Sequence, residues 1–260
     1  MKKFTVKLLT TALFMGLAST GVVSALPRPL WDQPTLDYKG YQLVGTKNGE
    51  VIVKTRGSGR VVRTFQLQKG LVVRDLFFLN SHQVIAASQS NQTVFWDLAT
   101  KRIVRRFPER VYGISHNEES LLSYDDDTKT ISIYSYPAFA QTCEIPLDSP
   151  NVGIADFAFS PNDKFLAILL APGRPESEEN YPLPSPAKTH TRYSKLYNIQ
   201  ICQEVQNFSK KFQIYDIGNF TGDSKFYDID RYYESNGTTE KRYIKEPLRL
   251  DLTTNELIKL

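Results

Sequence analysis

Along most of the chain, hydrophobic and polar positions alternate with a period of two, in short runs separated by turn-forming residues. That pattern predicts strands throughout and no long helix. Residues 72–107 show the unit most clearly. Residues 72–79 are almost continuously apolar, as a strand buried on both faces must be, and 84–87 follow after the turn Asn80-Ser81-His82. Residues 93–98 predict a third strand and 102–107 an amphipathic outer one. The scheme recurs over 112–147 and again over 154–208.

Five segments come into register on the dipeptide Trp96-Asp97: residues 51–65, 94–107, 132–147, 195–208 and 248–260. The Asp97 position is filled in turn by Lys54, Asp97, Ser135, Asn198 and Asp251. The first two intervals are close to the period of a four-stranded repeat, and the two longer ones require insertions. One insertion is proline-rich and spans 172–192, with Pro172, Pro175, Pro182, Pro184 and Pro186 among acidic residues. Prolines lack the amide hydrogen that a ladder needs, so this stretch is expected to leave the sheet. The other covers 227–245, where Ser235-Asn236-Gly237 between alternating flanks predicts an extended hairpin.

Two stretches carry a family resemblance. Phe95-Trp96-Asp97-Leu98-Ala99-Thr100-Lys101, running on to Phe107, and Ala158-Phe159-Ser160-Pro161-Asn162-Asp163-Lys164-Phe165 resemble the two halves of a WD-type propeller repeat. In that family a strand ending in Trp-Asp turns into the outer strand of one blade, and an Ala-Phe-Ser-Pro hairpin joins the first two strands of another. The resemblance implies an all-β propeller of about five four-stranded blades, with Trp96, Asp97, Phe159, Ser160 and Pro161 in structural roles. Only one segment keeps Trp-Asp itself, and the Gly-His pair that opens many such repeats is absent, so the repeats are degenerate. Either residues 30–38 supply the inner strand of the first blade, or the ring stays open with an uncovered edge.

The first 25 residues stand apart from this pattern. Lys2, Lys3 and Lys7 precede an apolar run over 8–23, and Val23-Ser24-Ala25 places small side chains where a signal peptidase needs them. Cleavage after Ala25 and a periplasmic or secreted product are expected, with a membrane anchor as the alternative reading. The 32 Lys and Arg against 28 Asp and Glu make the full chain basic, but losing three leader lysines leaves 29 against 28. That near-neutral balance gives no support to nucleic-acid binding. No further membrane span is expected in the mature form.

Cys143 and Cys202 are the only cysteines. They admit two readings, a single disulfide formed after export or two independent small apolar residues in strands.

Candidate chemistry is sparse. His82, His116 and His190 fall in turns, loops or strand ends without a second histidine at ligand spacing, so no metal, cofactor or catalytic residue is assigned. Asp125-Asp126-Asp127 reads as a solvated turn in preference to a Ca²⁺ loop. Arg102, Arg105, Arg106 and Arg110 form the densest basic cluster. Tyr181, Tyr193, Tyr227, Tyr232 and Tyr233 are the candidates for partner contact, since aromatic side chains give large contact area at low entropic cost; the alternative is that most pack between blades. The expected function is an exported scaffold that binds a protein or a glycan. The competing reading is a propeller-type hydrolase or lactonase using Asp156, Asp216, Asp228 and Asp230 on the channel face.

Overall fold

In the computed structural model, the structure describes residues 34–38, 40–79, 83–147, 152–172, 193–208, 217–234 and 243–260. These form five four-stranded antiparallel sheets, each a meander built from consecutive strands. Sheet 1 holds β1 (Thr35–Tyr38), β2 (Tyr41–Gly45), β3 (Glu50–Thr55) and β4 (Val61–Gln66). Sheet 2 holds β5 (Asp75–Leu79), β6 (Val84–Ser88), β7 (Thr93–Asp97) and β8 (Ile103–Phe107). Sheet 3 follows with β9 (Val111–Ile114), β10 (Ser120–Asp125), β11 (Thr130–Ser135) and β12 (Gln141–Pro146). Sheet 4 comprises β13 (Val152–Phe159), β14 (Phe165–Pro172), β15 (Tyr193–Asn198) and β16 (Gln203–Asn207). Sheet 5 comprises β17 (Asn219–Phe220), β18 (Phe226–Glu234), β19 (Tyr243–Asp251) and β20 (Leu257–Lys259).

Apolar faces of neighbouring sheets pack together, because a strand's alternation gives each sheet two faces to bury. Leu43, Val51 and Val53 of sheet 1 meet Ile85, Val94 and Trp96 of sheet 2. Ala86, Phe95 and Phe107 meet Leu121 and Tyr134 of sheet 3. Leu122, Ile131 and Ile133 meet Leu166, Ile168 and Tyr197 of sheet 4, and Leu169 and Leu196 meet Tyr227, Leu248 and Leu250 of sheet 5. At the third of these interfaces, Gly113 on β9 leaves room for Phe157 on β13. A β-carbon there would lie 2.3 Å from the Phe157 ring.

The turn between the third and fourth strands recurs five times. The residue four positions after Thr55, Asp97, Ser135, Asn198 and Asp251 has a left-handed backbone in every case: Gly59, Lys101, Phe139, Cys202 and Asn255. Thr55, not Lys54, is therefore the structural counterpart of Asp97. The sequence alignment slipped by one because no aromatic or acidic side chain marks this turn in sheet 1. Trp96, at the position before Asp97, is 3% exposed and packs 5.4 Å from Phe65 across the first interface.

No hydrophobic cluster among the described residues joins sheet 5 back to sheet 1. β1 completes the first sheet, but among the described residues the five sheets do not close into a ring. Equivalent positions explain why. The site filled by Trp96, Tyr134, Tyr197 and Leu250, which packs on the preceding sheet, is Lys54 in sheet 1, where no sheet precedes. The site filled by Val53, Phe95, Ile133 and Leu196, which packs on the following sheet, is Arg249 in sheet 5, where none follows. Arg249 forms a two-pronged ion pair with Asp228, at 2.7 Å through both of its bonds.

Candidate functional site

A meander places the turns joining strands one to two and three to four at one end of each sheet, and the loops joining two to three at the other. The two ends differ in construction.

At the first end, the turn in Ser160-Pro161-Asn162-Asp163-Lys164-Phe165 is closed from within. The Ser160 hydroxyl donates to Asn162 Oδ1 at 2.7 Å and accepts the Phe165 N–H at 2.9 Å, while Asn162 Oδ1 also accepts the Lys164 N–H at 3.1 Å. Ser115 with Asn117, and Thr221 with Asp223, repeat all three bonds. The fourth residue in each, Glu118, Asp163 or Ser224, has positive φ. Asp163 and Ser224 also reach back to the preceding sheet. Asp163 accepts the His116 N–H at 2.9 Å and the Asn117 N–H at 2.7 Å, and the Ser224 hydroxyl accepts the Asn162 N–H at 3.0 Å. Sequence reading found this motif only at Ser160. The signal for the others was present as a Ser or Thr two residues before Asn or Asp.

Here too lies Asp97, whose Oδ1 accepts both the backbone N–H and the hydroxyl of Thr100, at 2.6 and 2.8 Å. These bonds hold its carboxyl below the usual carboxylate range. Phe159 is buried, and Pro161 sits exposed at the turn.

At the opposite end, sheets 1, 2 and 3 close the two-to-three connection with residues 46–49, 89–92 and 126–129. Sheets 4 and 5 do not. Their connections run from Pro172 to Tyr193 and from Glu234 to Tyr243, so both sequence insertions leave the same end of adjacent sheets. β18 and β19 stay paired out to Glu234 opposite Tyr243, whereas β17 flanks only Tyr227 and Asp228, and β20 only 248–250. The outer rungs therefore project as a two-stranded ribbon. Lys245 pairs with Asp230 at 2.7 Å, and the buried Glu246 receives Arg231 and Lys259, the latter at 2.6 Å. Lys259 is the foremost cause holding the Glu246 carboxyl below its ordinary range.

The tyrosine candidates divide. Tyr232 and Tyr233 occupy the ribbon, opposite Lys245 and Ile244, and Tyr193 opens β15 at the same end. Tyr181 lies outside the described residues. Tyr227 is fully buried between sheets 4 and 5, where its hydroxyl accepts the Gly218 N–H at 2.8 Å and burial pushes its pKa up to about 12. It is a core residue, because its position in β18 faces sheet 4.

Cys143 on β12 and Cys202 in the β15–β16 turn are joined by a disulfide, which staples sheet 3 to sheet 4. Of the basic cluster, Arg110 is drawn inward. It pairs with Asp75 at 2.8 Å and stacks 4.1 Å over the Tyr112 ring. His116 belongs to the Asp163 latch, 3.1 Å through Nδ1, while His82 and His190 lie outside the described residues. Asp125 closes its own turn by accepting the Asp127 N–H. Among the carboxylates, Asp228 and Asp230 are engaged by Arg249 and Lys245, Asp156 accepts the Phe157 N–H, and Asp216 lies outside the described residues. No group of three or more His, Cys, Asp or Glu side chains suited to a metal gathers among the described residues. No described helix is long and apolar enough to cross a membrane.

No family model matches the chain, and no curated protein matches it. Solved structures do. Kuenenia stuttgartiensis hydrazine synthase superposes with a TM-score of 0.53 at 10% identity, over 85% of this chain and 62% of that one. A chain of the mitotic checkpoint complex gives 0.54 at 16% identity, over 85% and 60%. This chain thus spans about three fifths of the length of either neighbour. Both are β-propeller-type folds, and likeness at such identity establishes the architecture alone: the chain is an all-β, propeller-type array of five four-stranded sheets.

Proposed function

We propose that this protein is an exported scaffold that binds a protein partner through the enlarged loop end of sheets 4 and 5. The observation that carries the reading is the placement of both insertions at one end of two neighbouring sheets, on a framework that closes the same position tightly in its other three sheets. Rigid elements presenting long loops are the usual architecture of recognition surfaces. A neighbour of the same fold occurs in a multiprotein assembly, the mitotic checkpoint complex, which supports a protein partner.

The test is photo-crosslinking in the cell of origin, with a photoreactive residue at Tyr232 or Tyr233 and, as a control, at Lys47 in the four-residue loop of sheet 1. A protein adduct specific to the ribbon positions is the expected result. Adducts to glycan, or equal labelling from Lys47, would defeat it. Export rests on the Lys-apolar-Val-Ser-Ala leader. N-terminal sequencing of the mature form should begin at Leu26, and a product still starting at Met1 would refute this.

A further inference from the structure

The outer strands of sheets 1 and 2 share a four-residue pattern that those of sheets 3, 4 and 5 lack. Each is entered from a turn in which the carbonyl of Arg60 or Arg102 accepts the N–H of Thr55 or Asp97. The chain then reads Arg60-Val61-Val62-Arg63 in sheet 1 and Arg102-Ile103-Val104-Arg105 in sheet 2. Both ladders skip the third residue: Lys54 faces Val61 and Val53 faces Arg63, just as Trp96 faces Ile103 and Phe95 faces Arg105. Sheets 3, 4 and 5 fill the same positions with Ala140-Gln141-Thr142-Cys143, Gln203-Glu204-Val205-Gln206 and Glu256-Leu257-Ile258-Lys259.

The bulges disfavour strand addition at both edges. The side chains stay open to solvent. Val61, Ile103 and Val104 are 52%, 44% and 49% exposed. Arg60, Lys101, Arg102, Arg105 and Arg106 are exposed too, Arg63 is half-buried, and no described carboxylate pairs with any of them. Phe65 of β4 packs 5.4 Å from Trp96, the ladder partner of Ile103, so the two outer strands are neighbours. Residues 34–107, which form these two sheets, carry 12 Lys and Arg against 4 Asp and Glu, whereas 108–260 carry 16 against 23. The array is therefore polarised, basic in its first two sheets and acidic in the rest.

We propose that the outer side of sheets 1 and 2 docks on an anionic phospholipid surface. The arginines of both strands would meet lipid phosphates, while Val61, Ile103 and Val104 enter the boundary between headgroups and acyl chains. A bilayer imposes no register, so it accepts arginines and aliphatic side chains from both faces of a strand. A sulfated glycan would use the charges and leave the aliphatic side chains in water, and an acidic peptide would need the straight ladder edge that the bulges interrupt. Repulsion of the acidic sheets from the same surface would orient the molecule. This surface is separate from the loop end of sheets 4 and 5, and its test does not depend on that reading.

The probes are vesicles of phosphatidylcholine, alone or mixed with phosphatidylglycerol, and binding is read by flotation. The oxidised protein is used from Leu26 onward, so that the apolar leader contributes nothing. Binding to the mixed vesicles alone is expected, weakening as salt is added. Arg60→Glu with Arg102→Glu should reduce it by at least about tenfold at an unaltered melting temperature. Val61→Ser with Ile103→Ser and Val104→Ser keeps every charge and should reduce it by about fivefold or more. Lys164→Glu with Lys225→Glu makes the same change of charge at exposed turns of sheets 4 and 5 and should leave binding intact. Absence of flotation with the mixed vesicles overturns the proposal. So does an equal loss from the Lys164 and Lys225 pair, which would reduce the effect to net charge, or indifference to the serine substitutions, which would leave a bare anion patch. Tighter binding to soluble polyglutamate than to vesicles at equal charge would overturn it in favour of an acidic protein.

Discussion

The two ends of the sheets are built from the same strands and obey different rules. At the turn end, three copies of one hydrogen-bonded motif repeat, and two of them bolt one sheet to the next through Asp163 and Ser224. At the loop end, three sheets close with short connections, while sheets 4 and 5 carry the two insertions. A local turn whose bonds are internal can be copied whenever its short sequence is copied. A loop that serves recognition is free to differ, because long surface connections cost only logarithmically in closure entropy. Stability is thus invested at one end and in the interfaces, and variation is tolerated at the other.

The interfaces should show the largest effect. Trp96→Ala should lower stability by about 3–5 kcal/mol, the range for deleting a buried aromatic, and denaturant unfolding measures it directly. A loss under about 1 kcal/mol would mean that the first interface does not depend on this side chain. The covalent staple comes next. The disulfide closes a separation of 59 residues, so replacing Cys143 and Cys202 by Ser should cost about 2–4 kcal/mol, read from the shift in urea midpoint relative to the oxidised protein.

The latch then tests the turn end itself. Asp163→Ala leaves two backbone N–H groups without their acceptor, which costs about 1–3 kcal/mol. At the loop end Asp126, an exposed partner of Lys129, is the matched control, and Asp126→Ala should cost less than about 1 kcal/mol. Equal losses at both sites would erase the distinction between the ends.

The base of the ribbon should respond to acid. The Glu246 carboxyl is held below its ordinary range in the folded protein, chiefly by Lys259, so the unfolded chain takes up this proton first as pH falls. Its contribution is therefore complete above the unfolded glutamate value of about 4.3 and disappears as pH drops through the lower folded value. Amide exchange in β20 should accelerate across that window, and Glu246→Gln should remove the pH dependence there. The smallest effect belongs to the proline-rich connection. Replacing residues 173–185 with a short Gly-Ser linker should move the thermal midpoint by only a few degrees. Collapse of the β signal in far-ultraviolet circular dichroism would show instead that sheet 4 requires this segment.

The sequence made the sheets legible because alternation and turn chemistry are local. Residues 165–170 pair with 193–198 on the far side of the proline-rich stretch, and 226–234 pair with 243–251, the two strands that the alternating flanks of Ser235-Asn236-Gly237 predict. What it could not separate was which face of a strand meets a neighbouring sheet. Tyr227 and Tyr232 lie in the same strand and read alike as aromatic candidates, yet Tyr227 fills the core of an interface formed with sheet 4. The disulfide was equally nonlocal. Cys143 and Cys202 belong to different sheets, and only the packing of sheet 3 on sheet 4 brings their Cα atoms to 5.3 Å. The open ring was left as an alternative by the sequence and is explained by Lys54 and Arg249, whose meaning depends on knowing their equivalents in the other sheets.

An open array with two unlike end faces invites a particular hazard. If the outer face of sheet 5 were apolar and complementary to that of sheet 1, molecules would add head to tail, and a heterologous contact that does not close grows into a fibre. Stacking the present faces would force the Asp228–Arg249 and Asp230–Lys245 pairs out of water against Lys54 and Glu50, with desolvation opposing every added molecule. Charge on these two faces thereby disfavours head-to-tail stacking, by the same physics that polar capping repeats use in solenoid proteins.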